Sequence, residues 1–390
     1  MPRGRLRELS DPEAVRRAGQ DLSSTAVKGV DLTSFSSSYW QSVEIETTFF
    51  LGCRFDGVES QAVLEAKGAV VLPHFSGLPY EPFQYRLYSP DELLRKLSTG
   101  LTVDQTIYCD YLSKGRLSPD IVEALCRRIH DDGIDDALEH LMRDVGPMKF
   151  VAFMGGSSNK RSDPFYKKTA MAARLVTLDG HFVVSGGGPG MMEAANLGAY
   201  FAKYTEADLN QAFIILERAP EYGDKDWIPT ALEVKSRFPE GGDSLGIPTW
   251  FYGFEPTNAF ATRIAKYFDN SIREGGLIQI GKSGVVFAPG SAGTRQEIFM
   301  DAAQNHYGTT GLHSPMIFLG KYQYQVDAPV YPLVQTLATA AYKDLLSITD
   351  EPLDIAKFIK DHKPVPVPPK PDPICGCLPK DWQRGSEVTE

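Results

Sequence analysis

The sequence predicts an α/β fold, a parallel sheet covered by helices on both faces, preceded by an N-terminal accessory α+β domain. Two observations predict it. From Lys149 onward, short apolar runs alternate with segments of helical spacing, the pattern of βαβ units whose strands are buried on both faces. Three of those runs end in glycine-rich turns, at residues 155–158, 186–190 and 289–297. Such turns gather at the carboxyl ends of parallel strands, where sheets of this Rossmann-like kind bind their ligands.

Composition narrows the class. The 390 residues suit two domains of ordinary size, and 42% hydrophobic with 23% charged residues suits a globular protein. A net charge of −10 argues against a nucleic acid polymer as partner, which wants a basic face, but not against a small phosphorylated ligand held by local dipoles. The cysteines (Cys53, Cys109, Cys126, Cys375, Cys377) are odd in number and have no zinc spacing, so reduced thiols and no metal are expected. No apolar run approaches the roughly 18 residues of a membrane span. The arginine-rich start carries Glu8, Asp11 and Glu13 and makes a poor targeting signal, so the cytoplasm is the expected location.

In order along the chain, residues 1–147 read as the accessory domain. Residues 30–88 are strand-like and turn-rich, and residues 118–142 read as two helices broken at Gly133, with Ser118 as N-cap. His74, His130 and His140 are isolated there and make no reaction signature. Residues 148–362 read as the catalytic domain. KFVAFMGGSS is a strand and turn, FYKKTAMAARLVTLDG a helix, HFVVSGGGPG the next strand and turn, and MMEAANLGAYFA a helix. AFIILE is expected as a strand, residues 218–246 as a long loop, IPTWFYG as a strand and NAFATRIAKYFDNSIREGG as a helix. GVVFA and PMIFLG are strands, with the helix AGTRQEIFMDAAQNHY between them and another at residues 331–346. Tyr222, Trp227 and Phe238 of the long loop are candidates to stack on a ligand base. Residues 363–390 form a Pro-rich, extended tail that carries Cys375 and Cys377.

The candidate chemistry centres on PGSAGTRQE. A strand, a tight turn and a helix present free N–H groups and the positive helix end to an anion. Gly290 and Gly293 allow close backbone approach, and Ser291 and Thr294 add hydroxyl donors. Glu297 falls in the first helical turn, where a site that only held phosphate needs no negative charge, so it is either a helix-dipole residue or the chemistry. Gly155 and Ser157 in the first turn, and Gly187, Gly188, Gly190 and Met191 in the second, are expected to hold phosphate or sugar, with Glu193 either touching a ligand base or complementing the helix dipole. The second turn is no dinucleotide fingerprint, since Met191 stands where the last glycine belongs, and no Walker lysine follows. Arg273, expected near the end of its helix, is either a dipole-complementing arginine or a cation brought to the same strand ends; Arg263 is the alternative.

These residues carry a resemblance. PGSAGTRQE resembles the P-G-G-x-G-T-x-x-E motif of the LOG-type phosphoribohydrolases, once labelled lysine decarboxylases. GGGPGMMEAANLGA is similar to the companion G-G-G-x-x-G-x-M region of the longer nucleotide nucleosidases in that superfamily, and FMGGSS to their first strand and turn. The likeness spans residues 149–346. Ser291 stands where the motif has glycine, and Arg273–Glu274 stands one residue out of register with the family's Arg-Lys pair. The resemblance implies hydrolysis of the N-glycosidic bond of a nucleoside 5′-monophosphate without metal or cofactor. Gly290, Gly293 and Thr294 would hold phosphate, Glu297 and Arg273 would be catalytic, and the protein would be a homodimer. Two other readings stay open: a non-catalytic carrier or sensor of a phosphorylated ligand, which needs no Glu297, and a nicotinamide oxidoreductase, disfavoured by the missing fingerprint.

Overall fold

A computed structural model describes residues 6–338 and 342–367. They fall into two compact units, residues 6–85 and 86–367.

The smaller unit is a parallel sheet of β1 (Arg7–Leu9), β2 (Thr25–Lys28), β3 (Asp31–Leu32), β4 (Phe49–Phe55) and β5 (Val70–Pro73), in the order β1-β2-β4-β3 with β5 also paired to β4. Its helices are α1 (Pro12–Ala18), α2 (Ser37–Ser42) and α3 (Val58–Ala66). Asp11 and Ser36 cap the first two, each accepting an amide of the first turn. Trp40, Phe50, Leu64 and Val27 lie fully buried in one core. The run VEIETTFFLGC thus yields β4, and GAVVLP yields β5.

The larger unit begins with α4 (Pro90–Leu94), α5 (Val103–Ser113) and α6 (Ile121–Val145). Sequence analysis placed these helices with the accessory domain and the boundary at 147. The contacts instead divide the chain after Tyr85. The reason is a set of buried polar bonds between distant stretches of chain. Asp104 on α5 accepts from Trp250 Nε1 at 2.8 Å and pairs with Lys266 at 2.7 Å, and Asp131 on α6 accepts the Phe268 amide at 3.0 Å. The two expected helices at 118–142 are one, capped by Asp120 and running through Gly133.

The main sheet has seven parallel strands: β6 (Phe150–Met154), β7 (Phe182–Ser185), β8 (Leu245–Gly246), β9 (Arg263–Ile264), β10 (Val285–Phe287), β12 (Met316–Leu319) and β13 (Leu346–Thr349). Between β10 and β12, β11 (Leu312–His313) pairs instead with β14 (Val365–Pro366), so the tail is strand-paired as far as it is described; Cys375 and Cys377 lie outside the described residues. The strand order is β13-β12-β10-β6-β7-β8-β9. The chain therefore runs outward from β6 to β9, returns to place β10 on the other side of β6, and continues outward to β13. The reversal sits between β6 and β10, and the clefts of such sheets open at that point.

The helices are α7 (Pro164–Leu178), α8 (Met191–Tyr200), α9 (Glu206–Leu216), α10 (Trp227–Arg237), α11 (Asn270–Ile280), α12 (Ala292–Tyr307), α13 (Val330–Leu337) and α14 (Pro352–Asp361). Val151 and Phe153 of β6 face a core shared with α7, α8 and α14. Ala152, of opposite parity, meets Gly281 at the end of α11 on the other side. Gly198 on α8 lies so close to α7 that a Cβ there would stand 1.9 Å from the Ala170 carbonyl oxygen.

Three sequence expectations are corrected. AFIILE is the end of α9, where Thr205 and Asp208 form a capping box that commits the segment to helix. Residues 218–246 are not loop throughout, because α10 occupies their middle and β8 their end. NAFATRIAKYF is no helix: it turns at Ala259 and Phe260 and then forms β9, so helix α11 starts only at Asn270, after the Asp269 cap. Among the described residues no helix is long and apolar enough to cross a membrane.

Candidate functional site

The carboxyl ends of β6, β7 and β10 carry the three glycine turns, and backbone contacts lock them together. The Gly156 amide donates to the Pro289 carbonyl at 3.0 Å, and the Met191 amide to the Gly156 carbonyl at 3.0 Å. Gly190 (φ +69°) and Gly290 serve this packing: a Cβ would stand 2.3 Å from the Gly156 oxygen at the first and 2.1 Å from Thr294 Oγ1 at the second.

Above the turns lies a cavity of about 520 Å³, walled by the three turns, by the segment 252–255, by α11 through Arg273 and Glu274, and by the start of α12. The α12 end is open. Ser291 makes no side-chain cap, and Arg295 makes the helix's first internal bond, to Ser291 O at 3.1 Å. The amides of Ala292, Gly293 and Thr294 precede that bond and present the positive helix end. Ser291, Ala292 and Gly293 are exposed to the cavity mouth.

Glu297 lies in the second turn of α12, not the first, and is nearly buried. Loss of solvent raises its pKa to about 7 against the pull of Arg273, with Glu274 and Glu255 adding to the rise. Its Oε1 lies 3.8 Å from Arg273 Nη1. Arg273 is also buried and donates through Nε to the Ile247 carbonyl at 3.0 Å. It stands in the first turn of α11, not the last, where the helix dipole disfavours a cation. Dipole complementation is therefore not what keeps an arginine here. Gly186 leaves it room, since a Cβ at 186 would come within 2.5 Å of Nη2. Arg263 is exposed on β9 and is not part of the cavity wall.

Of the residues singled out from sequence, Gly155, Ser157, Arg273, Ser291, Gly293, Thr294 and Glu297 line this cavity. Gly187, Gly188, Gly190, Gly290, Met191 and Glu193 do not. Gly187 (φ +73°) packs against the Gly246–Ile247 backbone, Met191 is buried beneath Gly155, and Gly188 yields space to Glu255. Glu193 is wholly buried and spent on structure. It takes two bonds from Arg161, at 2.8 and 2.6 Å, and one from Tyr166 at 2.9 Å, while Arg161 lies over the Trp227 ring. Trp227 and Phe238 are likewise core residues, whereas Tyr222 is half-exposed at the cavity wall.

Sequence reasoning missed Glu255, Glu274, Gln296 and Tyr252. The last three form a rim: Glu274 accepts from Tyr252 Oη at 2.8 Å and from Gln296 Nε2 at 2.9 Å. The signal for Glu255 was a lone carboxylate inside the aromatic run FYGFEPTNAF, which assignment to a strand and a helix obscured.

No family model matches the chain, and no curated protein matches it. Among solved structures, the molybdenum cofactor binding protein from the phototrophic bacterium Rippkaea orientalis is similar at 16% identity and a TM-score of 0.35, covering 54% of this chain and 95% of its own.

Proposed function

We propose that this protein hydrolyses the N-glycosidic bond of a nucleoside 5′-monophosphate, releasing free base and ribose 5-phosphate. The observation that carries the reading is the meeting, in one cavity, of an uncapped helix N-terminus with the desolvated Glu297–Arg273 pair. The phosphate sits on the amides of Ala292, Gly293 and Thr294, helped by the hydroxyls of Ser291, Thr294 and Ser157. Glu297 lies three residues beyond Thr294, about 5 Å along the helix axis, so a ribose anchored by its 5′ phosphate extends toward the carboxylate. Breaking the bond from the anomeric carbon to the base leaves oxocarbenium character on the sugar. The Glu297 carboxylate stabilises that charge and accepts the proton of the attacking water, and a group titrating near 7 is well matched to the task at neutral pH. Arg273 holds the carboxylate in place and offers its remaining N–H groups to ribose hydroxyls. Phosphate binding at the remote end supplies positioning energy.

The test is chromatography of products from a panel of nucleoside monophosphates and the matching nucleosides. Base should be released from the monophosphates, and Glu297→Gln should lower kcat by about 10²- to 10⁴-fold. Full turnover by that variant would overturn the role of Glu297. Tight nucleotide binding without any base release would identify a carrier or sensor instead.

A further inference from the structure

Among the groups of the cavity wall that the reaction just described leaves unused is a carboxyl outside the bonded rim. Glu255 lines the cavity together with Glu297 and Arg273. Its side chain lies over Gly188, where a Cβ would stand 2.6 Å from Oε1 and 2.8 Å from Cγ, so the glycine turn is shaped to admit it. The backbone on either side is pinned. Lys266, itself buried and paired with Asp104, donates to the Glu255 carbonyl at 3.4 Å and to Thr257 Oγ1 at 3.2 Å. The Thr257 amide donates to Asp104 at 3.3 Å, and Asn258 bonds to the carbonyls of Gly187 and Gly188, each at 3.1 Å. Yet among the described residues the Glu255 carboxyl has no hydrogen-bond or ion-pair partner. A fixed backbone delivers a free carboxyl to the ligand space.

We propose, on the basis of the hydrolytic reading above, that Glu255 is the general acid that protonates the departing base. The groups facing the pair are Arg273 and Glu274 of α11, Lys266 after β9, Tyr324 beside Glu297, and Glu255 for Glu297. Loss of solvent raises the pKa of Glu255 against the pull of Arg273 and Lys266. Two desolvated carboxyls in one cavity resist ionising together, so one keeps a proton while the other is charged. Arg273 is within ion-pair range of Glu297 alone of the two, at 3.8 Å, so in the state the step requires, Glu297 charged and Glu255 protonated, the charged carboxyl is the one with the adjacent cation.

The step balances. The bond between anomeric carbon and base nitrogen breaks, its electron pair goes to the nitrogen, and the Glu255 proton joins it. Water oxygen bonds to the anomeric carbon and its proton goes to Glu297. Exchange with solvent then returns a proton to Glu255 and removes one from Glu297, for a net consumption of one water.

The experiment compares two leaving groups. A nucleoside monophosphate needs protonation of its base, whereas 4-nitrophenyl riboside 5-phosphate leaves as a stabilised phenolate and needs none. Glu255→Gln should lose about 10²- to 10⁴-fold in kcat on the nucleotide and stay within tenfold of wild type on the nitrophenyl substrate, which also shows that the variant is folded. In the wild-type enzyme, kcat/KM for the nucleotide should fall at alkaline pH as Glu255 ionises, and that limb should be absent with the nitrophenyl substrate. Equal losses on both substrates, or identical alkaline limbs, would overturn the assignment. Failure of wild type to cleave any nucleotide would sink the underlying reading, whereas normal nucleotide turnover by Glu255→Gln would remove this inference alone.

Discussion

Glu297 is held where a carboxylate is costly, and the cost has a measurable sign. Its pKa is about 7 in the fold against an ordinary value of 4.5. The fold favours the neutral form, so that contribution to stability is fully present below about pH 4.5 and is lost as pH rises through about 7. Glu297→Gln, which keeps the shape without the charge, should therefore match wild type in stability near pH 4 and exceed it at pH 8 by about 3 kcal/mol. Denaturant melts at the two pH values check this, and a gain of equal size at both would show that charge burial is not the cause. Such a gain, paired with lost turnover, is the signature of a residue placed for function at the expense of stability. Cys53 shows that burial by itself is not diagnostic. Its thiol is also pushed up, to about 11, by burial in the apolar core of the smaller unit.

At the scale of elements, the contact between α7 and α8 fixes where the second glycine turn can lie. Gly198→Ala would improve helix propensity by about 1 kcal/mol but force a methyl to within 1.9 Å of the Ala170 carbonyl oxygen. Overpacking of that kind costs about 1–3 kcal/mol or more, so the variant should be net destabilised, read as a lower denaturant midpoint. The elements best foretold by the sequence are those in which period and punctuation agree. The strand–turn–helix runs at β6, β7 and β10 have a buried apolar stretch, a glycine turn and a periodic helix in succession, and the sheet and the α12 end of the cavity follow from them. Arg273 was found for its type, while its helix position was wrong, because NAFATRIAKYF has helical spacing yet is held out of helix by neighbours far away in sequence. Glu193 has the profile of a site residue, and only the arrival of Arg161 from another turn makes it structural. Glu255 was not found because its aromatic run reads as strand and helix, whereas the bonds that fix the backbone there come from Asp104, far away in sequence, and from Lys266.

For the molecule as a whole, the residues 6–85 and 86–367 have separate cores, the first around Trp40 and Phe50, the second against one face of the seven-stranded sheet and among the helices α7 to α10. Scanning calorimetry should accordingly resolve more than one transition. The proposed product, ribose 5-phosphate, should raise only the transition of the larger unit, which holds every residue of the cavity wall, by about 2.7 kcal/mol at a hundred times its Kd. A single transition, or a shift in both, would show that the units unfold together. The boundary after Tyr85 illustrates why domain limits are the hardest feature to read from one sequence. Nothing in the composition of α4–α6 announces that Asp104 and Asp131 belong to partners more than a hundred residues away.

The hydrogen bonds that join the three glycine turns also bear on the entropy of association. A phosphate-binding loop that is disordered until its ligand arrives spends part of the binding free energy on freezing its own backbone, at roughly 1–2 kcal/mol per residue. Here the β6 turn is bonded to both neighbours by the chain's own backbone, through Pro289 and through Met191. These bonds need no ligand to form, so under the proposed hydrolysis the affinity gained at a phosphate would be left to orient the sugar against Glu297.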